Sequence, residues 1–205
     1  EAALVKDSAG VFAVVVSSGT TNAGVIDDLA GVAEVCQRRD LWLHVDGAYG
    51  GAALAAPSAR NLFSGVEFAD SFVVDPHKWL FAPYDCCALL YRQPEHGANA
   101  HSQFASYLDQ VDRNEWNPAD YAIHLTRRAR GLPFWFSLAT YGTQKYEEAI
   151  EATLAVTQGV ATEIKARDYL HLVMEPDLSV LLFERTGWVM DDYVAWSNDK
   201  ANKGV

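Results

Sequence analysis

Short apolar runs that end in small or polar residues are the feature that most constrains how this chain can fold. Such runs occupy residues 11–16, 41–45, 72–74 and 87–91. Each has the length and apolar content of a buried strand. Between the first two runs, an aspartate cap at Asp27 or Asp28 and apolar residues on one face predict a helix that ends near Arg39. Strand, helix and strand with short links predict an α/β fold with a mostly parallel sheet.

Polar residues repeatedly follow the carboxyl ends of these predicted strands. They are Thr20 and Thr21 after the first strand, Asp46 after the second, and His77 and Lys78 after the third. Because ligands bind at this edge of open parallel sheets, we expect these side chains to form one site.

Lys78 emerges just past the third strand, which Pro76 ends, and lies between His77 and Trp79. We expect a lysine with these neighbours to be partly buried, which leaves a population of neutral amine for attack on an aldehyde. The alternative is a solvated loop lysine that follows a proline. This stretch alone leaves both interpretations open.

Asp46 and Lys78 together match the needs of one cofactor. Pyridoxal 5′-phosphate requires a lysine for its Schiff base and an anion against its pyridine nitrogen, so that the ring can accept electrons from a carbanion. Ala48 offers a small apolar surface beneath such a ring, and Thr21 offers a hydroxyl at the same rim. Taken singly, a turn-capping role for Asp46 and a turn or helix-cap role for Thr20 and Thr21 are the alternatives. Their joint placement with Lys78 favours the cofactor.

At these residues the sequence resembles the pyridoxal-phosphate-dependent group II decarboxylases, the family of aromatic-L-amino-acid, histidine, glutamate and diaminobutyrate decarboxylases. The resemblance extends from about Val11 to Gly142. It is carried by the blocks Gly19-Thr-Thr21, Trp42-Leu-His-Val-Asp-Gly-Ala-Tyr49, Gly65-Val-Glu-Phe-Ala-Asp-Ser71, Asp75-Pro-His-Lys-Trp79, Arg127-Arg-Ala-Arg130 and Phe134-Trp135. It implies a type I PLP-dependent, aspartate-aminotransferase-like fold and an obligate homodimer with its active site at the subunit interface.

The resemblance implies a role for each of the matching site residues. Lys78 is the catalytic lysine that forms the Schiff base, and Asp46 is the partner of the pyridine nitrogen. Thr21 lies beside the ring and Ala48 packs against it. His77 lies at the cofactor phosphate and is counted with Lys78 among the catalytic residues.

The resemblance also implies a mobile loop over the site, at about residues 96–120. Within it, Ser106-Tyr107-Leu108 resembles the segment in which a tyrosine delivers the proton that replaces CO₂. A lid at this place excludes water from the reaction. Family members with phenylalanine at this position tend toward oxidative aldehyde chemistry, so Tyr107 favours simple decarboxylation. The alternative for Tyr107 is an ordinary exposed loop aromatic.

The sequence also departs from the family pattern. Asp75 stands where the family often has asparagine, and Gly47 replaces a more frequent alanine. By resemblance, the residues that hold the phosphate and a histidine that stacks on the ring precede Glu1. The arginine cluster at residues 127–130 is expected near the dimer interface, because arginine suits buried interfacial ion pairs, and the alternative is a solvated face.

Composition narrows the classes of partner and compartment. The formal net charge of −11 argues against nucleic acid or an anionic membrane surface, since their phosphates would be repelled. Three cysteines without C-x-x-C spacing make a disulfide framework improbable and indicate a reducing cytoplasm. The sequence shows neither an apolar stretch of membrane-spanning length nor a basic-then-apolar leader, so no membrane association is expected.

After residue 91 the pattern changes to a polar stretch and a helical tail. Residues 92–120 lack clear periodicity, as in a functional loop or a disordered segment. The tail is predicted to contain a largely buried helix at 134–141, an amphipathic helix at 143–167, hairpin strands at 169–174 and 178–183, and a helix at 188–203. We expect residues 1–142 to be the carboxyl-terminal part of a cofactor-binding large domain. Residues 143–205 would be a linker helix and the start of an incomplete small α+β domain, in an internal piece of a longer protein.

The predicted function is decarboxylation of an L-amino acid to its amine and CO₂ through the Lys78 Schiff base, with a slight preference for aromatic substrates. The rivals are another type I enzyme, such as an aminotransferase or a carbon–carbon lyase, and a non-catalytic subunit that keeps the dimer surface. No metal site is expected. His44 is interpreted as a core or supporting residue of its strand, and Cys86 and Cys87 as buried and inert.

Overall fold

A computed structural model describes residues 9–102 and 117–204 of the chain. Within them, four strands form one sheet in the order β1-β2-β3-β4. Their bounds are Ala13–Ser17 for β1, Trp42–Asp46 for β2, Ser71–Val74 for β3 and Ala88–Tyr91 for β4. The pairs β1–β2 and β2–β3 are parallel and the pair β3–β4 is antiparallel, so the predicted α/β fold with a mostly parallel sheet is confirmed.

The register brings the carboxyl ends of the three parallel strands to one edge. Ser17 pairs with Asp46, and Asp46 pairs with Val73. The loops that carry the predicted site residues therefore leave the sheet side by side, as expected for a ligand edge.

Helix α1, Leu29–Arg39, covers one face of this sheet and begins where the sequence predicted. Asp28 is its N-cap, and its Oδ1 accepts a hydrogen bond of 2.9 Å from the backbone N–H of Gly31. Leu29 and Ala33 of the helix belong to the same buried cluster as Val45 and Phe63, so the core lies between α1 and the sheet. Burial of apolar surface therefore holds α1 against the sheet.

The stretch predicted as a loop contains helix α2, Pro94–His101. Proline suits the first helical position because its missing N–H needs no partner there. Tertiary contacts stabilise this helix, which the sequence pattern did not predict. A methyl group on Gly97 would lie 2.9 Å from the Tyr91 ring, so the helix packs closely on β4. The rings of Trp42 and His96 also meet edge to face, with centroids 5.4 Å apart. The polar composition of this stretch hid a helix that packs on the sheet through glycine and ring contacts.

Helix α3, Gly131–Lys165, contains both predicted tail helices. Gly142 separates them with a non-helical φ of 74°, a conformation that glycine adopts without strain. The expectation that residues 134–141 are largely buried is wrong for the described chain, since Trp135 and Phe136 are more than half exposed. The second part packs as expected, with Ile150 fully buried.

The end of the chain holds a two-stranded antiparallel sheet and a last helix. Strands β5 and β6 are Leu170–Leu172 and Phe183–Arg185, and helix α4 is Met190–Asn202. The predicted second strand at 178–183 is wrong, because the chain enters β6 only at Phe183. Leu178 is instead 1% exposed in the main core, where a methyl group on Gly19 or Gly50 would lie 2.8 or 2.7 Å from its Cδ1. Burial of this leucine against glycines outweighs continuation of the strand.

Two absences hold for residues 9–102 and 117–204. None of their helices combines the length and the apolar character that a membrane crossing requires. No group of three or more histidine, cysteine, aspartate or glutamate side chains in this part of the chain is arranged to hold a metal ion.

We expect Leu178→Ala to lower the free energy of unfolding by about 3 kcal/mol, because it leaves a cavity beside the glycine loops. Leu90→Ala is the matched control, since Leu90 is 53% exposed and should cost about 1 kcal/mol or less. Urea denaturation followed by circular dichroism measures both. Equal losses in the two variants would show that Leu178 is not a core residue.

Candidate active site

Asp46 ends β2 and presents an exposed carboxylate at the edge of the sheet. One oxygen, Oδ1, accepts a hydrogen bond of 3.0 Å from the backbone N–H of Ala48, which folds the chain back over the strand end. The backbone is held on both sides, because the Asp46 carbonyl accepts from Ser18 N–H at 2.8 Å and Gly47 N–H donates to the Val73 carbonyl at 3.0 Å. The turn-capping alternative is thus met by one oxygen, and the other makes no hydrogen bond to any described residue.

Glycines let the loops after β1 and β2 touch backbone to backbone. Gly19 has a φ of +109°, and a methyl group on Gly50 would lie 2.1 Å from the Ser18 carbonyl oxygen. The departure at Gly47 has a steric reason, since a Cβ there would lie 2.8 Å from both the Phe72 ring and Ser18 Oγ. The Asp46 loop is therefore pressed against its neighbour more closely than any side chain permits.

Thr20 and Thr21 have different environments. The turn role and the ligand role that the sequence left open for both therefore belong to different residues. Thr20 Oγ1 accepts a hydrogen bond of 3.2 Å from Val25 N–H, so Thr20 fixes the turn after β1. Thr21 is exposed, and its hydroxyl makes no hydrogen bond to any other described residue. Thr21 is the threonine of this pair that can meet a ligand.

Lys78 lies in the turn that follows β3, where its backbone N–H donates to the Asp75 carbonyl at 2.9 Å. Its side chain is 41% exposed, and Nζ forms an ion pair of 2.8 Å with Asp75 Oδ2. Lys78 is exposed, so the partial burial expected for it is not found. A carboxylate, not an apolar wall, faces the amine.

The two sequence motifs are joined directly through the backbone. Asp75 N–H donates a hydrogen bond of 3.0 Å to the Ala48 carbonyl. Ala48 is two residues beyond Asp46, and Asp75 is three residues before Lys78. The carboxylate of Asp46 and the amine of Lys78 therefore sit on loops that continue adjacent parallel strands and share one backbone contact.

His77 is half-buried beside Lys78, with its ring fixed on one side. Nδ1 lies 2.5 Å from the Cys86 carbonyl oxygen and 3.1 Å from the Cys86 backbone nitrogen, and the Tyr84 ring meets it edge to face at 4.9 Å. Nε2 makes no hydrogen bond within residues 9–102 and 117–204. This nitrogen is the one that a ligand can reach.

The aromatic residue that ends each motif braces the site from behind. The rings of Tyr49 and Trp79 stack with centroids 5.1 Å apart and planes inclined by 15°. Trp79 Nε1 donates to Thr153 Oγ1 of α3 at 2.9 Å, and the Tyr49 hydroxyl bonds the hydroxyl of Ser179. Burial raises the pKa of Tyr49. The pair ties both site loops to α3 and to the segment that places Leu178 in the core.

Asp75 is the site residue whose role sequence reasoning did not assign. Burial alone would raise its pKa, but hydrogen bonds from Lys78 and Cys87 and the electrostatic effects of Lys78 and His77 outweigh burial and lower it. The signal in the sequence is the spacing of an acid and a lysine three residues apart after a strand end.

Cys87 is exposed rather than buried, contrary to expectation, while Cys86 is buried. Partial burial of the Cys87 thiol and its hydrogen bond to Asp75 raise its pKa to about 12. A thiol in this state is a poor nucleophile, so its predicted inertness has an electrostatic cause.

Two arginines of the cluster at residues 127–130 form ion pairs within the described part of the chain. Arg128 and Arg130 pair with Asp85 at 2.6 and 3.3 Å, which ties the segment before α3 to the loop that holds His77.

Tyr107 lies outside the described residues. His44 bonds Ser71 Oγ at 2.7 Å within the sheet, which confirms its interpretation as a supporting residue of its strand.

The lowered pKa of Asp75 predicts how acid affects stability. A carboxyl group whose folded-state pKa is depressed stabilises the fold above its ordinary pKa of about 4, and this contribution is lost as the pH falls through the folded-state pKa. The wild-type protein should therefore lose more unfolding free energy between about pH 6 and pH 3 than Asp75→Asn. Urea denaturation at a series of pH values checks this, and parallel pH profiles for the two proteins would contradict it.

Comparison with known proteins extends these observations. A family model described as the pyridoxal-dependent decarboxylase conserved domain matches residues 1–186. The cysteine sulfinic acid decarboxylase of Rattus norvegicus is 40% identical over 177 residues, which are 84% of this chain and 36% of that protein. The acidic amino acid decarboxylase GADL1 of Homo sapiens is 37% identical over 182 residues, 87% of this chain and 35% of that protein. This chain thus spans about a third of the length of these relatives.

Solved structures agree in fold. A crystal structure of mouse CSAD has a TM-score of 0.76 at 36% identity and covers 84% of this chain, which in turn covers 36% of that chain. A crystal structure of Oryza sativa TDC with PLP and tryptamine has a TM-score of 0.79 at 30% identity, with coverages of 83% and 36%. The expected type I fold is confirmed by these neighbours. On the family match, the relatives and the shared fold, this chain belongs to the pyridoxal-dependent decarboxylase family.

Proposed function

We propose that this chain is part of an enzyme that decarboxylates an L-amino acid with pyridoxal 5′-phosphate as cofactor. The observation that carries the proposal is the placement of an exposed carboxylate, Asp46, and an exposed amine, Lys78, at the ends of adjacent parallel strands. Membership of the decarboxylase family supports the same reading. At this edge Lys78 would attach the aldehyde of the cofactor, and Asp46 would keep the cofactor's ring nitrogen protonated.

The residues present fit this cofactor. Lys78 offers a primary amine for covalent attachment, and the Asp46 carboxylate, which uses one oxygen to cap its turn, has a second oxygen to hold a protonated ring nitrogen. The exposed hydroxyl of Thr21 and the small side chain of Ala48 fit beside and against a flat ring. His77 Nε2 is directed to the phosphate in this proposal. When bound, the cofactor supplies an electron sink for the bond that breaks at the substrate Cα.

The protein's own residues orient and protonate the reactants. Asp46 would hold a protonated ring nitrogen of the bound cofactor, and Lys78 would supply the amine for its attachment. We assign to Tyr107 the delivery of a proton to the substrate Cα after CO₂ leaves, and to the segment that carries it the exclusion of water. Tyr107 owes this role to the family resemblance.

The proposal specifies the reaction more narrowly than the substrate. The relatives named above act, by their names, on acidic amino acids and on cysteine sulfinic acid, whereas the expected preference was for aromatic substrates. The proposal is therefore an L-amino acid, and the aromatic preference stays a prediction. Release of amine with CO₂ separates a decarboxylase from an aminotransferase or a carbon–carbon lyase, which release a keto acid or an aldehyde.

We further propose a cytoplasmic homodimer with its site at the subunit interface. The first part of α3 supports this, because it presents Leu132, Trp135 and Phe136 on one face at 51–59% exposure. An apolar patch of this kind on a helix is typical of a protein interface. Residues 1–142 are proposed as the large-domain part of this assembly and residues 143–205 as the linker helix and the start of the small domain.

We expect Lys78→Ala in the full-length protein to lose covalent cofactor attachment and to slow CO₂ release at least about 10³-fold. Asp46→Asn should keep attachment at Lys78 but slow CO₂ release about 10²-fold, because the ring nitrogen loses its charged partner. Borohydride trapping with peptide mapping measures attachment, and ¹⁴CO₂ release measures turnover. Normal turnover by Lys78→Ala would refute the proposed function.

A charge on the exposed face of α3 should prevent the proposed dimer from forming. Trp135→Asp is expected to shift the protein to a monomer at about micromolar concentration, since burying an unpaired carboxylate in an apolar interface is costly. Val156→Asp on the second part of the same helix, where Val156 is 66% exposed, is the control. Light scattering reports the mass, and an unchanged mass for Trp135→Asp would place the dimer contact elsewhere.

A further inference from the structure

The loop of residues 82–87, which joins the Lys78 turn to β4, contacts the His77 ring from two directions. The Tyr84 ring meets it edge to face, with centroids 4.9 Å apart. The backbone of Cys86 faces His77 Nδ1 with its carbonyl oxygen at 2.5 Å and its nitrogen at 3.1 Å. The direction in which His77 Nε2 points therefore depends on where this loop lies.

Asp85 stands between these two contacts in sequence, and each of its carboxylate oxygens pairs with a different arginine. Oδ1 lies 2.6 Å from Arg128 Nη2, and Oδ2 lies 3.3 Å from Arg130 Nε. Isolated ion pairs at a protein surface contribute little, but a carboxylate held at both oxygens is restricted in orientation as well as in position. The Asp85 side chain is 31% exposed and that of Arg130 is 38% exposed, so water screens this pair only in part.

Apolar burial does not hold this point of the loop. Tyr84 is 84% exposed, and the loop belongs to no helix or strand. Cys86 is buried and anchors the loop just before β4. Desolvation acts to raise the pKa of Asp85, but its own backbone N–H and the two arginines outweigh desolvation and lower it. The carboxylate is therefore ionised at neutral pH, as its ion pairs require.

The arginines connect this loop to the beginning of α3. Arg130 is the N-cap residue of that helix, whose first turns carry the apolar face proposed as the dimer interface. A continuous path of contacts therefore leads from the start of α3 through the Asp85 carboxylate and the adjoining Cys86 backbone to His77. The ring at the candidate site is thus held in place from the helix that the site residues do not belong to.

We propose that Asp85 is a positioning residue for His77, because its ion pairs with Arg128 and Arg130 hold the loop that directs His77 Nε2 toward the phosphate of the cofactor. This inference rests on the proposed function, which gives His77 that role. Asp85 acts through the histidine and contributes no group to the reaction itself.

A role of this kind affects one part of the cofactor. Pyridoxal has the ring and the aldehyde of pyridoxal 5′-phosphate but lacks the phosphate, so the ratio of the two affinities measures what the phosphate contacts contribute. Loss of one hydrogen bond to a charged group lowers affinity by about tenfold. Asp85→Asn should therefore lower the ratio about tenfold, since the loop no longer holds the ring toward the phosphate. A general loosening of the fold would weaken both ligands alike and leave the ratio in place.

The test measures apparent dissociation constants of pyridoxal 5′-phosphate and pyridoxal for the full-length protein by absorbance, with borohydride trapping to confirm attachment at Lys78. Replacement of both Arg128 and Arg130 by glutamine breaks the same ion pairs from the other side, in case Asp85→Asn does not fold. Glu163→Gln is the matched control, because Glu163 also pairs with an arginine, at 2.8 Å, near the other end of α3.

A second measurement asks whether Asp85 acts through His77. His77→Ala should lower the affinity ratio by itself, because it removes the ring that faces the phosphate. Asp85→Asn added to His77→Ala should lower the ratio no further, since two residues that act through one contact are not additive.

The expected result is a ratio about tenfold lower in Asp85→Asn and in the double arginine variant, with the wild-type ratio in Glu163→Gln. The wild-type ratio in the Asp85 and arginine variants, or in His77→Ala, would overturn the inference and leave the proposed function intact. A further tenfold fall when Asp85→Asn is added to His77→Ala would also overturn it. Failure of the wild-type protein to bind pyridoxal 5′-phosphate at Lys78 would instead overturn the proposed function, and the inference with it.

Discussion

The parallel pairing of β2 with β3, continued by the hydrogen bond from Asp75 N–H to the Ala48 carbonyl, is the constraint on which the candidate site depends. Parallel strands end at the same edge, so an acid that follows one and a lysine that follows the other are brought together without a long loop. The two functional groups are 32 residues apart in sequence, at positions 46 and 78. Sheet register, rather than local sequence, makes them neighbours.

The surrounding structure keeps these loops from moving apart. Glycine contacts press the loop after β1 against the loop after β2, and Gly47 leaves room for the Phe72 ring. The stacked rings of Tyr49 and Trp79 then join both motif loops to α3. Apolar burial supplies the stability, and the few polar contacts fix the directions in which the site residues point. The motif aromatics therefore serve the geometry of the site.

Sequence patterns predicted the sheet, α1 and the edge where the site residues collect, because strand periodicity and an aspartate cap are local signals. They missed what tertiary contact decides. Helix α2 forms in a polar stretch since Gly97 packs on the sheet, and Leu178 leaves its predicted strand to fill the core. The exposure of Lys78 and its pairing with Asp75 were missed for a similar reason: hydrophobic neighbours in sequence suggested burial, whereas the turn directs the amine outward to a carboxylate.

The most direct test of this account is a crystal structure of the full-length protein with pyridoxal 5′-phosphate. The account predicts continuous density between Lys78 Nζ and the aldehyde carbon, with a carboxylate oxygen of Asp46 within about 3 Å of the ring nitrogen. Attachment through a different lysine, or an Asp46 carboxylate that does not reach the ring nitrogen, would contradict it.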